Sequence, residues 1–486
     1  MKATSLFGGV QVFSIFITII RTKFVAVLLG PAGMGIVGLL RSTLMIIGSL
    51  TNLGINVSAI KNVAAAKATN DDIQLSTTVI VLRRLVWGTG LLGLLITFFT
   101  APWLSQLTFG NPDFTFAFRW LSVTFLLGQI SSGQMVVLQG LRKLNDLAKA
   151  NIIGSVIGLL IIIPMYYFWG IDGIVPVLLA TSIAGLLLSF YFSRKIRIKV
   201  VKVSKQKTVE EGRNMIAMGI MISLSGLLTM LEAYLVRIYI SNTGTLADVG
   251  LYNAGFAIIG TYVGMIFTAM GTDYYPRLSE VANNKEETNK TINQQAEIAI
   301  LILAPILTVF LIFINWAILI LYSTEFLPVT DMIHWASLGI FFKAATWAMG
   351  FVFLAKGDTK WFFWNELFAI SYVLGLNILG YTYFGLEGLG ISFLVAFILG
   401  FIQNSLMTKW LYGFSFDKEF YKIFSFLFSI AIIGFLLSYT TTGLWMYVFG
   451  VGLIAISSIY SYKELDKRLN IAEIWLGFKN KFNKKE

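Results

Sequence analysis

The stretch QVFSIFITIIRTKFVAVLLGPAGMGIVGLLRSTLMIIGSLTNLGIN, residues 11–56, decides the fold class of this chain. Two apolar runs meet there at a Gly-Pro-Ala-Gly turn, residues 30–33, and each run is long enough to cross roughly 30 Å of bilayer hydrocarbon as a helix. Three cations, Arg21, Lys23 and Arg41, stand inside these runs. A charge at membrane depth is costly, so each of them needs a structural or functional reason.

The composition of the whole chain favours the same class. Its 486 residues are 57% hydrophobic and 13% charged, whereas soluble domains carry roughly 25% charged residues. About 14 apolar runs of membrane-crossing length follow one another. The sequence therefore predicts an all-α polytopic membrane protein with about 14 transmembrane helices, and its net charge of +12 needs no nucleic acid as an explanation.

Several kinds of chemistry are excluded by residue counts. The chain has no cysteine and a single histidine, His334, so it has no disulfide, no thiolate metal site and no histidine cluster. It contains neither a glycine-rich phosphate loop nor a nucleophile with a matching base and acid. We therefore predict no catalytic residue, no metal and no cofactor.

Among the connections between the apolar runs, lysine and arginine occur only in alternate ones. The segment 194–213 holds eight of them, whereas the connections near 30–33, 103–114 and 170–172 hold none. Cytoplasmic loops of membrane proteins carry the excess of Lys and Arg. The pattern predicts that both termini face the cytoplasm.

Short glycine motifs recur almost half a chain apart. Trp169–Ile174 reads WGIDGI, and Phe384–Leu389 reads FGLEGL. The turns before Gly35 and Gly250 match at the same offset along the chain. A further match, at nearly this offset, pairs the glycines of LQGLRK (138–143) and LAKGDTK (354–360). The matches predict two lobes of about six helices each, related by an axis along the membrane normal, with a central cavity between them.

The repeat and the charge pattern divide the chain into five predicted segments. The segments are an N-terminal lobe (1–200), a basic cytoplasmic linker (201–214), a C-terminal lobe (215–412), two additional transmembrane helices (413–462) and a basic tail (463–486). The tail has apolar residues at helical spacing among its cations, which is typical of an amphipathic helix at an anionic leaflet. A disordered basic tail is the alternative.

Helical phase separates the cations of the opening stretch. Gln11, Ser14, Thr18 and Arg21 form one polar stripe on the first helix, and Lys23 lies about 200° away from Arg21. We expect Arg21 to face a cavity and Lys23 to snorkel or to bind a neighbouring helix.

The second helix has a polar stripe of its own. Arg41, Ser49, Asn52 and Asn56 share one face by the same periodicity. A polar face exposed to lipid is unfavourable, so the stripes of the two helices are predicted to line one water-filled space.

The later half of the chain supplies three more charged candidates. Arg237 lies near the end of its helix, where snorkelling is an alternative role, while Lys343 lies on the order of 18 Å deep. Glu232 shares a face with Ser225 and Thr229, and it is either a structural partner of these cations or a residue that couples transport to an ion gradient. A cationic cavity indicates an anionic substrate, because guanidinium groups match phosphate oxygens.

Two stretches resemble a known family. RTKFVAVLLGPAGMG (21–35) is similar to the first hairpin of O-antigen translocases, and TLADVGLYNAG (245–255) with YPRL (275–278) is similar to a later region of the same family. The resemblance implies two six-helix lobes around a V-shaped cavity, and a bacterial inner membrane protein that handles an undecaprenyl-pyrophosphate-linked glycan. Fourteen helices depart from the twelve usual for that family, so the last two have no assigned role.

The hypothesis from sequence is therefore a flippase that moves a lipid-linked oligosaccharide to the periplasmic leaflet. Its substrate site is predicted at six residues: Arg21, Arg41, Asn52, Asn56, Arg237 and Lys343. Its partners are the lipid-linked glycan, membrane lipids and a polysaccharide polymerase or chain-length complex. The alternatives are a peptidoglycan-lipid flippase, a multidrug or cation antiporter, a membrane glycan polymerase or acyltransferase, and a scaffold.

Overall fold

A computed structural model describes the backbone of residues 2–196, 198–199, 201–441 and 443–469. Every regular element in these ranges is helical. Ten helical stretches of this described part are long and apolar enough to cross a membrane. The predicted fold class is confirmed, while the number of 14 crossings stays a prediction. Most of the predicted amphipathic tail, residues 470–486, lies outside the described residues.

The helices fall into two compact units. The first unit comprises Met1–Leu251 with Ile320–Glu325, and the second comprises Tyr252–Leu319 with Phe326–Glu486. The helices that begin in the first unit are α1 (Lys2–Asn52), α2 (Ile55–Ala68), α3 (Asp72–Phe109), α4 (Thr115–Gly140), α5 (Leu144–Trp169), α6 (Ile174–Ser193), α7 (Lys205–Thr243) and α8 (Leu246–Ala257). The remaining helices are α9 (Gly264–Glu280), α10 (Lys285–Leu321), α11 (Thr330–Ala355), α12 (Thr359–Tyr412), α13 (Lys418–Thr440) and α14 (Leu444–Leu469). The five segments predicted from the sequence stay a prediction.

Some of the long stretches contain a sharp bend. In α12 the backbone leaves helical geometry at Gly385, and the two arms bind each other where Gln403 Nε2 donates to Asn365 Oδ1 at 2.7 Å. In α1 the break is at Gly30, within the turn that the sequence predicts. The second apolar run of the opening stretch is interrupted after Asn52, because Leu53 and Gly54 adopt positive φ before α2 begins.

The internal repeat is visible in the backbone. Gly170 has φ 52° and ψ −128°, and its equivalent in the second half, Gly385, has φ 58° and ψ −137°. The hydrogen bond from Lys143 N to Leu138 O has its counterpart at the same offset, from Asp358 N to Phe353 O, and both measure 2.9 Å.

The backbone also corrects one part of the sequence comparison. At the offset that relates Gly170 to Gly385, the residue equivalent to Gly357 (φ 73°) is Arg142 (φ 55°). The sequence match had paired Gly140 with Gly357, because it aligned glycines, whereas the feature that recurs is the backbone conformation of the turn.

A second pair of equivalent residues makes a direct contact inside the first unit. A Cβ atom on Gly35 would lie 1.9 Å from the carbonyl oxygen of Leu246, and one on Gly250 would lie 1.8 Å from that of Pro31. Each glycine therefore allows α1 and α8 to touch through their backbones, as small residues do at transmembrane helix interfaces.

In the second unit, Arg468 ties the last turn of α14 to α10. Its Nε atom lies 2.6 Å from Glu297 Oε2, and its Nη1 atom lies 2.7 Å from Glu464 Oε2. Glu297 is only 5% exposed. Arg468 is therefore the partner that compensates the buried charge of Glu297.

We expect Arg468→Met to lower the thermal midpoint of the detergent-solubilised protein by on the order of 5 °C, because breaking a buried ion pair costs about 3–5 kcal/mol. Lys467→Met is the matched control. The Lys467 side chain is 68% exposed and, among the acids of the described ranges, pairs only with Glu464, and such surface pairs contribute about 0–1 kcal/mol. Equal midpoints for the two variants in a thermal-shift assay would contradict this role of Arg468.

Candidate functional site

A groove of about 530 Å³ lies in the first unit, between the second arm of α1 and α4. The four residues that the sequence places on one helix face all line it: Arg41, Ser49, Asn52 and Asn56. Asn56 belongs to α2, yet the tight turn at residues 53–54 keeps it on the side of Asn52. The predicted polar stripe is therefore one wall of a groove.

The lining of the groove includes hydrogen-bond acceptors. The side-chain oxygens of Asn52, Asn56 and Gln129 are buried and have no hydrogen-bond partner in the described part of the chain. The amide nitrogen of Asn56 is already engaged, since it donates to Ser132 Oγ at 3.0 Å. A buried acceptor without a partner costs about 1–3 kcal/mol. Donors on a bound molecule, such as hydroxyl groups, would remove that cost.

Arg41 makes part of the groove cationic, and Arg21, which does not line the groove, lies close to Arg41. The guanidinium groups of Arg21 and Arg41 lie within electrostatic range of each other and of the Tyr166 hydroxyl. Neither arginine forms an ion pair with a described acidic residue. Two partly buried like charges repel, so a bound anion would stabilise this arrangement.

Three buried hydroxyl groups hold the arginine-bearing arm of α1 in place. Thr43 Oγ1 donates to Tyr234 Oη at 3.0 Å, and the Tyr234 hydroxyl lies 2.8 Å from Thr108 Oγ1. Thr43 stands two residues after Arg41, so this cluster joins the arginine-bearing arm of α1 to α3 and α7. It orients the helix face on which the arginine stands.

Lys23 is separated from the groove, as its helical phase predicts. Its ammonium group donates to the backbone carbonyl of Tyr322, a residue of the same unit. The sequence left two roles open for Lys23, snorkelling or binding to a neighbouring helix, and this contact is of the second kind.

The other candidates from the sequence lie elsewhere. Arg237 Nη1 donates to Ala233 O of its own helix at 2.8 Å, and Glu232, partly buried on α7, also interacts with its surroundings. Lys343 belongs to the second unit, where its ammonium group lies 5.4 Å from the Phe397 ring centre and 5.7 Å from that of Phe393. The side chains of Gln11 and Ser225, predicted on the polar stripes, lie outside the described residues.

Two residues were missed by the sequence reasoning: Gln129, which lines the groove, and Tyr166, which lies near Arg21 and Arg41 without lining it. Tyr166 stands in an apolar run beside Tyr167, where a tyrosine pair is typical of the membrane interface, and Gln129 is an isolated polar residue of α4. Nothing in either local pattern links the residue to α1. Within the described residues no group of three or more His, Asp or Glu side chains is close enough to hold a metal ion.

Curated relatives of this chain are flippases. It is 23% identical to the lipid III flippase of Escherichia coli (strain K12) over 354 residues, which are 71% of this chain and 82% of that protein. The lipid III flippase of Shigella flexneri gives the same identity and coverage.

Solved structures of transporters share the fold. A lipid II flippase, MurJ, in an inward closed conformation has a TM-score of 0.69 and 12% identity, over 96% of this chain and 99% of that one. An inward-facing multidrug resistance MATE family transporter of the MOP superfamily has a TM-score of 0.67 and 15% identity, over 83% of this chain and 96% of that one. The predicted fold is confirmed.

The family itself is shown by a sequence model. Residues 24–331, more than half of the chain, match the model described as polysaccharide biosynthesis protein. The matched range begins in α1 and ends in α11, so it contains most of the groove described above. This chain is a multi-pass membrane protein that belongs to the polysaccharide biosynthesis protein family.

Proposed function

We propose that this chain is a flippase for a lipid-linked glycan, and that its substrate is an undecaprenyl-pyrophosphate-linked oligosaccharide such as an O-antigen repeat unit. The proposal rests on the groove in the first unit, which Arg41 lines together with amide oxygens that have no hydrogen-bond partner among the described residues. Arg21 lies close to Arg41, and neither arginine has an acidic partner in the described part of the chain. The similarity to lipid III flippases supports the same class of substrate.

The arginine end fits a pyrophosphate. Arg21 and Arg41 provide two guanidinium groups, each able to donate two parallel hydrogen bonds to phosphate oxygens. The Tyr166 hydroxyl adds a neutral donor close to both charges. The negative charge of a pyrophosphate would relieve the repulsion between the arginines.

The remainder of the groove fits sugars. Sugar hydroxyl groups are donors, and the oxygens of Asn52, Asn56 and Gln129 are acceptors without a partner among the described residues. The lipid tail would stay in the bilayer while the groove is exposed first to the cytoplasm and then to the periplasm by alternating access of the two lobes. In this proposal the protein lies in the bacterial inner membrane with both termini in the cytoplasm, next to a polysaccharide polymerase or chain-length complex.

The remaining predicted residues have roles in the same proposal. Arg237 and Lys343 would contact the head group in one of the alternating states, and Glu232 would couple the movement to an ion gradient. A multidrug or cation antiporter is disfavoured, since a cation would meet the charges of Arg21 and Arg41 in the groove.

A peptidoglycan lipid is the second candidate substrate. The lipid II flippase covers almost all of this chain in the structural comparison, and a peptidoglycan lipid carries the same pyrophosphate. The sugar part of the groove would then have to accept a peptide as well.

The proposal is tested in proteoliposomes that contain the purified protein and a fluorescent undecaprenyl-pyrophosphate oligosaccharide. A membrane-impermeant glycosidase reports how fast the glycan reaches the outer leaflet. We expect transfer to be at least about 10-fold faster than in protein-free vesicles, which corresponds to about 1.4 kcal/mol of the barrier. Faster transfer of the peptidoglycan lipid would favour the second candidate, and no acceleration of either lipid would contradict the flippase.

A further inference from the structure

A second groove of about 610 Å³ lies on another side of the first unit, between α3, α4 and α6. Its walls are almost entirely apolar and include Leu127, Ile130 and Leu187. Trp87 and Phe190 stand at its rim and are 55% and 56% exposed. Its lining shares no residue with the polar groove.

Two arginines stand at one end of this apolar groove. Arg83 comes from α3 and Arg194 follows the last residue of α6. The Arg194 guanidinium carbon lies 5.3 Å from the centre of the Tyr191 ring, a contact that leaves its N–H groups available. This end is on the side that the charge pattern predicts to be cytoplasmic.

The neighbouring cations are already engaged. Lys199 lies 2.9 Å from Asp72, and Lys195 lies 3.8 Å from Asp146. Arg84 donates to the Val203 carbonyl at 3.0 Å. Arg83 and Arg194, by contrast, form no ion pair with any acid in the described ranges. Both charges therefore remain for an external anion.

We propose that this groove binds one anionic phospholipid of the cytoplasmic leaflet, with an acyl chain between α3, α4 and α6 and the phosphate on Arg83 and Arg194. The two parts of the site match the two parts of such a molecule. The apolar walls gain from burying a chain, and the guanidinium groups bind phosphate oxygens. The cytoplasmic leaflet is rich in anionic lipids.

The volume of the groove favours a phospholipid as its occupant over the polyprenyl lipid of the proposed transport cycle. At roughly 30 Å³ for each water-sized group, the cavity holds about twenty such groups. That is the size of one acyl chain, whereas an undecaprenyl chain is several times longer. A groove of this volume fits one whole acyl chain, which favours a bulk lipid over the transported lipid as its occupant.

The test uses the full-length protein in nanodiscs with a photo-activatable phosphatidylglycerol, which is anionic, or the matching phosphatidylcholine, which has no net charge. We expect phosphatidylglycerol to label α4 and α6 peptides at least about 10-fold more strongly. The phosphates of both lipids can bind the two arginines, but only phosphatidylglycerol keeps a net negative charge that attracts the two guanidinium groups. Arg83→Ala with Arg194→Ala should remove this preference. Leu187→Trp, which narrows the apolar part, should lower labelling by both lipids.

A charge-matched control separates the site from general attraction to a basic surface. Lys67→Ala with Lys149→Ala removes two exposed cations that do not line the groove, and it should change the labelling less than about 2-fold. Equal labelling by the two lipids in the unmodified protein would overturn the proposal. An equal loss in the control and the arginine variants would also overturn it, as would displacement of phosphatidylglycerol by stoichiometric undecaprenyl phosphate.

Discussion

Arg41→Ala is expected to reduce flipping of the pyrophosphate-linked glycan about 100-fold and to leave the protein folded. Arg41 lines the polar groove and has no acidic partner in the described part of the chain. Its removal takes away a bidentate, charge-assisted contact to phosphate, about 2–3 kcal/mol, and each 1.4 kcal/mol is about tenfold. Arg21→Ala should act in the same direction. Transport is measured with the glycosidase assay in proteoliposomes.

Lys23 supplies the matched control for this experiment. Lys23→Met removes a cation from the same helix, but one that binds the Tyr322 carbonyl and does not line the groove. It should lower thermal stability while the transport rate per folded molecule stays within about 3-fold, since no phosphate contact is lost. Because Arg21 and Arg41 act on one ligand, the double variant should fall short of the sum of the single effects. Wild-type transport by Arg41→Ala would show that the groove does not hold the pyrophosphate.

The helical period explains why part of this site could be predicted from the sequence. A period of 3.6 residues fixes which side chains share a face, and it grouped Arg41 with Asn52 and set Lys23 apart from Arg21. The bends at Gly30 and Gly385 were also predictable, because glycine permits positive φ and interrupts an apolar run.

The rest of the site depends on tertiary packing, which local patterns do not encode. Gln129 and Tyr166 enter the groove region from α4 and α5, and only the packing of these helices against α1 brings them there. Arg237 lies near the end of its helix, and only the structure shows that its guanidinium group donates to the Ala233 carbonyl of the same helix. Lys343 lies among aromatic rings, which provide a cation-binding surface that a search for carboxylates does not find.

The largest expected effect on folding is at the contact between equivalent glycines. Gly250→Ala should remove most of the folded protein from the membrane, because its Cβ atom would lie 1.8 Å from the Pro31 carbonyl oxygen. The opposing atom belongs to the backbone, so α1 and α8 would have to separate, at a cost of about 3 kcal/mol, the upper end of the usual range for overpacking. Gly35→Ala should have a similar effect, since its Cβ would lie 1.9 Å from the Leu246 carbonyl oxygen. Fluorescence-detected size-exclusion chromatography measures the folded fraction.

Two other helical glycines provide controls for this prediction. Apart from its chain neighbours and its own helix backbone, a Cβ atom at Gly88 or Gly158 would meet nothing within 4 Å. Alanine at these positions should match or exceed the wild-type yield, because alanine is favoured over glycine in a helix interior by up to about 1 kcal/mol. If Gly250→Ala gave the same yield as Gly158→Ala, the backbone contact between α1 and α8 would not be needed for folding. If alanine lowers the folded yield at Gly35 and Gly250 but not at Gly88 and Gly158, the contact between α1 and α8 requires glycine at the same position in both repeats.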